Sequence, residues 1–209
     1  MRAAPATTRP ASAGSGPTIT AAGPTTTAAP TATTAPAAGL ASLILDTVPS
    51  GYVRQPDDVG QTGPTNLAQA ALDDVSPTAR RALLVTGFVS GYQRQWTSPD
   101  GYTIDQVFLY QFSTPKGAQG YAQHWHDTLL SSNAGGPALQ SFTPAFLPAG
   151  ALGLQAQDKT GSTGVVMFAT GNYAVEATVN GGVGAVGDPS ADQSGPATSL
   201  ALAQYQRLP

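Results

Sequence analysis

Groups able to do chemistry are few in this chain, and their spacing excludes most of what they could do. Cysteine is absent, which removes structural disulfides, thiol catalysis, iron–sulfur clusters and thiolate zinc sites together. The only histidines, His124 and His126, flank Trp125. On a helix such a pair points to opposite sides, so it cannot chelate one metal ion. Acids occur as Asp57-Asp58 and Asp73-Asp74, with Glu176 alone in a run of strand-forming residues. Two carboxyls suited to glycoside hydrolysis would have to converge from separate elements. The glycine-rich run 181–187 resembles part of a dinucleotide loop, but Asp188 and Pro189 break the helix that such a loop must open. The run 160–164 resembles a fragment of a nucleophile elbow, yet it joins two strands. No catalytic residue, metal site or cofactor is expected.

Aromatic side chains are the remaining resource. Tyr52, Tyr92, Trp96, Tyr102, Tyr110 and Tyr173 fall on expected strands and on Gly-Tyr turns. There an amphipathic ring can contact a sugar, a lipid or a protein partner while its hydroxyl stays wet. Aromatics favour strands in any case, so an ordinary sheet role stands beside the binding one. Arg94 and Trp96 share a strand face, and both types are enriched where binding energy concentrates. The expected ligand-binding set is therefore Arg94, Trp96, Tyr92, Tyr110, Tyr173 and Glu176. Alternation along its strand turns Glu176 to the face opposite Tyr173 and Val175, where it is either exposed or paired with Arg94; exposure is the expectation.

The elements that must position these residues follow from periodicity and punctuation. A short helix or strand over 40–45 ends at a Pro49/Gly51 turn. A helical face is read over Leu67, Ala68, Ala71 and Leu72, and a second helix starts with Ser76 as cap and Pro77 at its first position, with Ala79, Ala82 and Leu83 inward. Gly87 ends it. Strands 88–96 and 102–112 flank a Pro-Asp-Gly turn, which makes a hairpin. In the second of these strands Ile104, Phe108, Tyr110 and Phe112 alternate with Val107 and Leu109, a pattern for burial on both faces. Helix 114–130, capped by Thr114, carries Ala118, Tyr121, Ala122, Trp125 and Leu129 on one face and must cover the sheet. Strands 152–157, 165–169 and 173–179 form a meander, 181–195 a glycine-rich loop, and 196–207 a closing helix. Helices interspersed with antiparallel hairpins define an α+β domain: one antiparallel sheet covered by helices, over 40–209.

Residues 1–39 differ in kind. Met1 to Ala38 contains 13 Ala, 10 Thr and 6 Pro, and no acid occurs before Asp46. Such a stretch buries too little apolar surface to order itself, so 1–39 is expected to be a disordered arm, either an extracytoplasmic stalk or an uninformative tail. No signal peptide is visible and no run is long enough to span a bilayer. Either the chain is cytoplasmic, or an export segment has been removed or lies upstream; the stalk composition favours the second. Over the whole 209 residues the net charge is −3, with only 10% of residues charged. Nine basic residues without a cluster exclude nucleic-acid binding by bulk charge.

The segments Val48 to Tyr52, Gly87 to Trp96, Val107 to Phe112, Leu147 to Gly153, Val166 to Val175 and Ala201 to Gln206 together resemble an actinobacterial family of secreted or lipid-anchored proteins of unknown function. That family is similar to the extracellular sensor-like domain of membrane serine/threonine kinases. The resemblance implies an α/β sandwich of the Mog1/PsbP shape used for binding. Relatives often carry a cysteine pair and an export signal, and neither is present here. The expected function is a non-catalytic, extracytoplasmic, sensor-like domain that binds a cell-envelope glycan, lipid or protein partner. The alternatives are an envelope glycan or lipid hydrolase built on converging carboxylates, and a passive spacer.

Overall fold

The computed structural model describes residues 38–58, 62–74, 76–132, 138–158, 161–182 and 192–209. The expected arm, but for its last two residues, and most of the 181–195 loop lie outside them. Among the described residues five helices and eight strands follow in the order α1 (Ala38–Leu43), β1 (Val53–Arg54), β2 (Gly63–Thr65), α2 (Leu67–Asp73), α3 (Ala79–Thr86), β3 (Phe88–Thr97), β4 (Thr103–Phe112), α4 (Pro115–Ser132), β5 (Gln140–Phe142), β6 (Leu152–Asp158), β7 (Gly161–Thr170), β8 (Tyr173–Gly182) and α5 (Ser194–Tyr205). All strands join one antiparallel sheet in the order β1-β3-β4-β8-β7-β6-β5, and β2 also pairs with β3. The expected α+β class is therefore the observed one.

Side-chain alternation sends the two halves of each central strand to different cores. Trp96, Val107, Leu109, Phe168, Val175 and Ala177 face α1 and α5. Tyr110, Phe112, Val165, Met167 and Ala174 face α2, α3 and α4, meeting Ala70, Leu83, Tyr121 and Trp125. The sheet is thus a middle layer, and β4 is buried on both sides as its apolar pattern requires. Helix α4 begins at the expected place, where Thr114 Oγ1 accepts the Gly117 N–H at 3.0 Å. Gly117 itself packs so closely on α3 that a Cβ there would strike the Thr86 carbonyl oxygen.

Three expectations are corrected. In α2 the buried residue is Ala70, whereas Leu72 is 77% exposed; a helix of seven residues lets one narrow stripe face inward, and Leu72 lies outside it. Helix α3 starts at Ala79, because Ser76, Pro77 and Thr78 are used in a turn stabilised by the Asp74 carboxylate accepting the Ser76 N–H at 2.9 Å. Strand β7 begins at Gly161, so residues 161–164, read as part of a loop, instead pair with β6 and β8.

The two ends of the described domain are fastened together. Gln204 of α5, fully buried, accepts the Leu45 N–H through Oε1 at 2.9 Å and donates through Nε2 to the Leu43 carbonyl at 2.9 Å. Arg207 adds a hydrogen bond to the Ser42 carbonyl at 2.8 Å.

Candidate functional site

The sheet separates the six residues singled out from sequence. Tyr92, Arg94, Trp96 and Tyr173 lie on the α1/α5 face; Tyr110 and Glu176 lie on the other. Glu176 stands between Phe108 and Met167, whereas Arg94 stands beside Val107, whose other neighbour is Ala177. The pairing of Glu176 with Arg94 is therefore excluded, and Glu176 is half-buried rather than exposed.

Arg94 and Trp96 do share a face, but both are buried beneath the end of α1. Arg94 Nη1 donates to the carbonyls of Ile44 (3.3 Å) and Leu45 (2.8 Å), and Trp96 Nε1 donates to that of Asp46 (3.1 Å). The chain leaving α1 turns these carbonyls inward outside any helix, and the two side chains supply the donors that buried carbonyls require. Around them Arg54 bridges Asp46 (2.6 Å) and Asp57 (2.8 Å), and the Tyr92 hydroxyl donates to Asp57 at 2.6 Å. Burial would raise the Asp57 carboxyl, but the hydrogen bonds from Tyr92 and Arg54 and the charges of Arg54 and Arg94 hold it below its usual range. A depressed acid stabilises above its unfolded pKa of 3.8, and that stabilisation disappears as pH falls through the folded value. Asp57→Asn is therefore expected to cost about 1 kcal/mol near neutrality and almost nothing in strong acid. Urea denaturation at both pH values checks this; a pH-independent difference would contradict it.

The opposite face brings together acids far apart in sequence. Asp74, its side chain without exposed surface, accepts from the Tyr121 hydroxyl (2.9 Å) and contacts His124 Nε2 (3.0 Å). Asp73 accepts from the Tyr110 hydroxyl at 3.2 Å and from Gln69 Nε2 at 3.1 Å. Burial, with repulsion from Asp74 and Asp73 and against one hydrogen bond from Thr178 Oγ1 (3.1 Å), pushes the Glu176 carboxyl up to about 7. Burial likewise raises Asp73 and, far more strongly, the Tyr110 and Tyr121 phenols. Sequence spacing could not reveal this cluster, because α4 reaches Asp74 across fifty residues. Among the described residues no group of three or more potential ligands is arranged to hold a metal ion.

An open concavity lined by an aromatic residue lies elsewhere, at the end of the sheet. The turns Gly51-Tyr52 and Gly101-Tyr102 meet there, each glycine adopting a positive φ (72° and 77°) that lets the chain reverse before its tyrosine. Tyr52, Ser98, Pro99, Asp100 and Thr103 line a pocket of about 340 Å³, and Tyr102 beside it is 50% exposed. The Tyr52 turn is held by Ser50 Oγ donating at 2.6 Å to Asp105 of β4. Burial raises the Asp105 carboxyl, and Ser50 offsets only part of that. The hairpin side is fixed by Ser98 Oγ, which accepts the Thr103 N–H at 2.9 Å, and by Asp100, which accepts the Tyr102 N–H at 3.1 Å. The Tyr52 ring, the Ser98 and Thr103 hydroxyls and the Asp100 carboxylate line an opening of the size that holds small ligands. Both tyrosines belonged to the aromatic set read from sequence; what sequence lacked was the approach of residue 52 to the hairpin turn.

These features define the class: an α+β sandwich whose single antiparallel sheet is covered by helices on both faces. A solved member of this class is the extracellular domain of PknH from Mycobacterium tuberculosis, which superimposes with a TM-score of 0.51 at 11% sequence identity over 85% of this chain and all 100% of that domain. The likeness to a kinase extracellular domain is one of fold. No protein-family model and no curated protein sequence matches the chain.

Proposed function

We propose that this chain is a non-catalytic, extracytoplasmic, sensor-like domain that binds a cell-envelope component, a glycan first, in the pocket between Tyr52 and the β3–β4 turn. The observation that carries the reading is that pocket: the Tyr52 ring lines an opening edged by the hydroxyls of Ser98 and Thr103, with the exposed Tyr102 next to Thr103 in the chain, chemistry that suits a sugar's apolar face and polar rim. The fold shared with a kinase extracellular domain supports the compartment and the sensor-like role. The actinobacterial secreted family resembled in sequence supports the same setting.

Titration with soluble envelope oligosaccharides, followed by tyrosine fluorescence, tests it. Saturable binding is expected, weakened about tenfold by Tyr52→Ala and by Tyr102→Ala. Absence of saturable binding would overturn the glycan reading and leave the passive spacer.

A hydrolase is favoured by one observation, the convergence of Asp73, Asp74 and Glu176 with Glu176 near 7, where a general acid operates. Those carboxyls are engaged by Tyr110, Tyr121, His124 and Thr178 inside the fold. Release of shorter glycans by the wild type and not by Glu176→Gln would establish the hydrolase instead.

A further inference from the structure

We infer that the outer face of α3 is a docking surface for an anionic lipid bilayer. Helix α3 turns Ala79 and Leu83 inward and leaves Arg80, Arg81, Leu84 and Val85 exposed on the other side, Leu84 by 58% and Val85 by 79%. Two arginines thus stand one turn from two aliphatic side chains that none of the described residues covers. Arg80-Arg81 is the chain's only adjacent basic pair. Among the described residues neither makes an ion pair, while Arg54 and Arg94 are both occupied. Lys116, also exposed, opens α4 next to the end of α3, where Gly117 meets Thr86.

The acids near this surface are directed away from it. Asp73 and Asp74, at the turn into α3, bind Tyr110, Tyr121 and His124 in the core. Positive charge faces outward and negative charge inward, within a domain whose residues from Leu40 onward number seven basic and twelve acidic. Charge complementarity therefore calls for an anionic partner. A second copy meeting this face about a two-fold axis would set the arginine pair against itself. The face is the convex outside of one helix, so it suits a fluid planar surface: aliphatic side chains enter the acyl boundary while arginine stems lie along it with their guanidinium groups on headgroup phosphates.

Flotation of the full chain with vesicles tests the inference, and it is read independently of the Tyr52 pocket. Vesicles of phosphatidylcholine containing about 30% phosphatidylglycerol should carry the chain upward, and phosphatidylcholine alone should not. Each arginine near such a surface multiplies binding about fivefold, so Arg80→Ala with Arg81→Ala should weaken it roughly 25-fold. Leu84→Ser with Val85→Ser should abolish flotation while leaving thermal melting unchanged, because both side chains are exposed. No flotation, equal flotation with both vesicles, or flotation unaffected by either pair of substitutions would overturn the inference. Binding of soluble polyglutamate that depends on Arg80 and Arg81, without flotation, would make the face a protein-docking surface and would equally overturn it.

Discussion

Trp96→Ala is expected to destabilise the domain by about 4 kcal/mol, a large part of the 5–15 kcal/mol that holds a typical domain folded. Trp96 has no exposed surface and packs with Leu40, Ile44, Val107 and Val179 beneath α1. Truncation removes that apolar contact and leaves a cavity between two layers that cannot easily collapse, because the sheet is fixed by ladders on both sides. It also removes the donor to the Asp46 carbonyl. Trp96→Phe keeps most of the ring and loses the donor, so its expected cost is smaller, about 1–2 kcal/mol. The denaturation midpoints of the two variants check the ordering. A Trp96→Ala loss below about 1 kcal/mol would show that the residue does not hold α1.

Glu176→Gln is expected to stabilise the protein above neutral pH, by about 2–3 kcal/mol. The sign follows from the direction of the shift. Below the ordinary value of 4.5, Glu176 is protonated in both the folded and the unfolded chain and pH has no effect through it. Between 4.5 and about 7 the unfolded chain releases its proton while the folded chain retains it, so stability falls as pH rises. Above that range the folded protein carries a half-buried carboxylate with two acids nearby and one hydroxyl as its hydrogen-bond partner. Glutamine removes the charge, so the gap between variant and wild type should shrink as pH falls toward 4.5 and vanish below it. Urea denaturation at pH 5 and pH 8 decides the matter: a variant no more stable than the wild type at pH 8 would contradict it.

Much of this architecture was legible because local signals are strong where the chain reverses or alternates. The Pro-Asp-Gly turn placed the β3–β4 hairpin, the two-sided pattern of β4 required cover on both faces, and Thr114 with Pro115 marked the start of α4. Short elements were less legible: α2 depends on contacts that select Ala70 over Leu72. Alternation placed Arg94 and Trp96 on one face and turned Glu176 away from Tyr173 and Val175, but it left Glu176 free to pair with Arg94 and could not say what covered either. Layering decided that. Arg94 and Trp96 meet the carbonyls at the end of α1, and Glu176 meets the acids beside α2. The pocket was half visible, its two Gly-Tyr turns evident and their meeting dependent on a Ser50–Asp105 contact across 55 residues.

The fastening of α5 to α1 by Gln204 and Arg207 has a mechanical meaning. A pull on the chain ahead of Ala38 is received first by a six-residue helix whose carbonyls and the N–H following it are tied to the last helix. Tension entering there and leaving at Pro209 runs between two neighbouring ends. It loads the α1–α5 seam and bypasses the long β4–β8 and β7–β8 ladders.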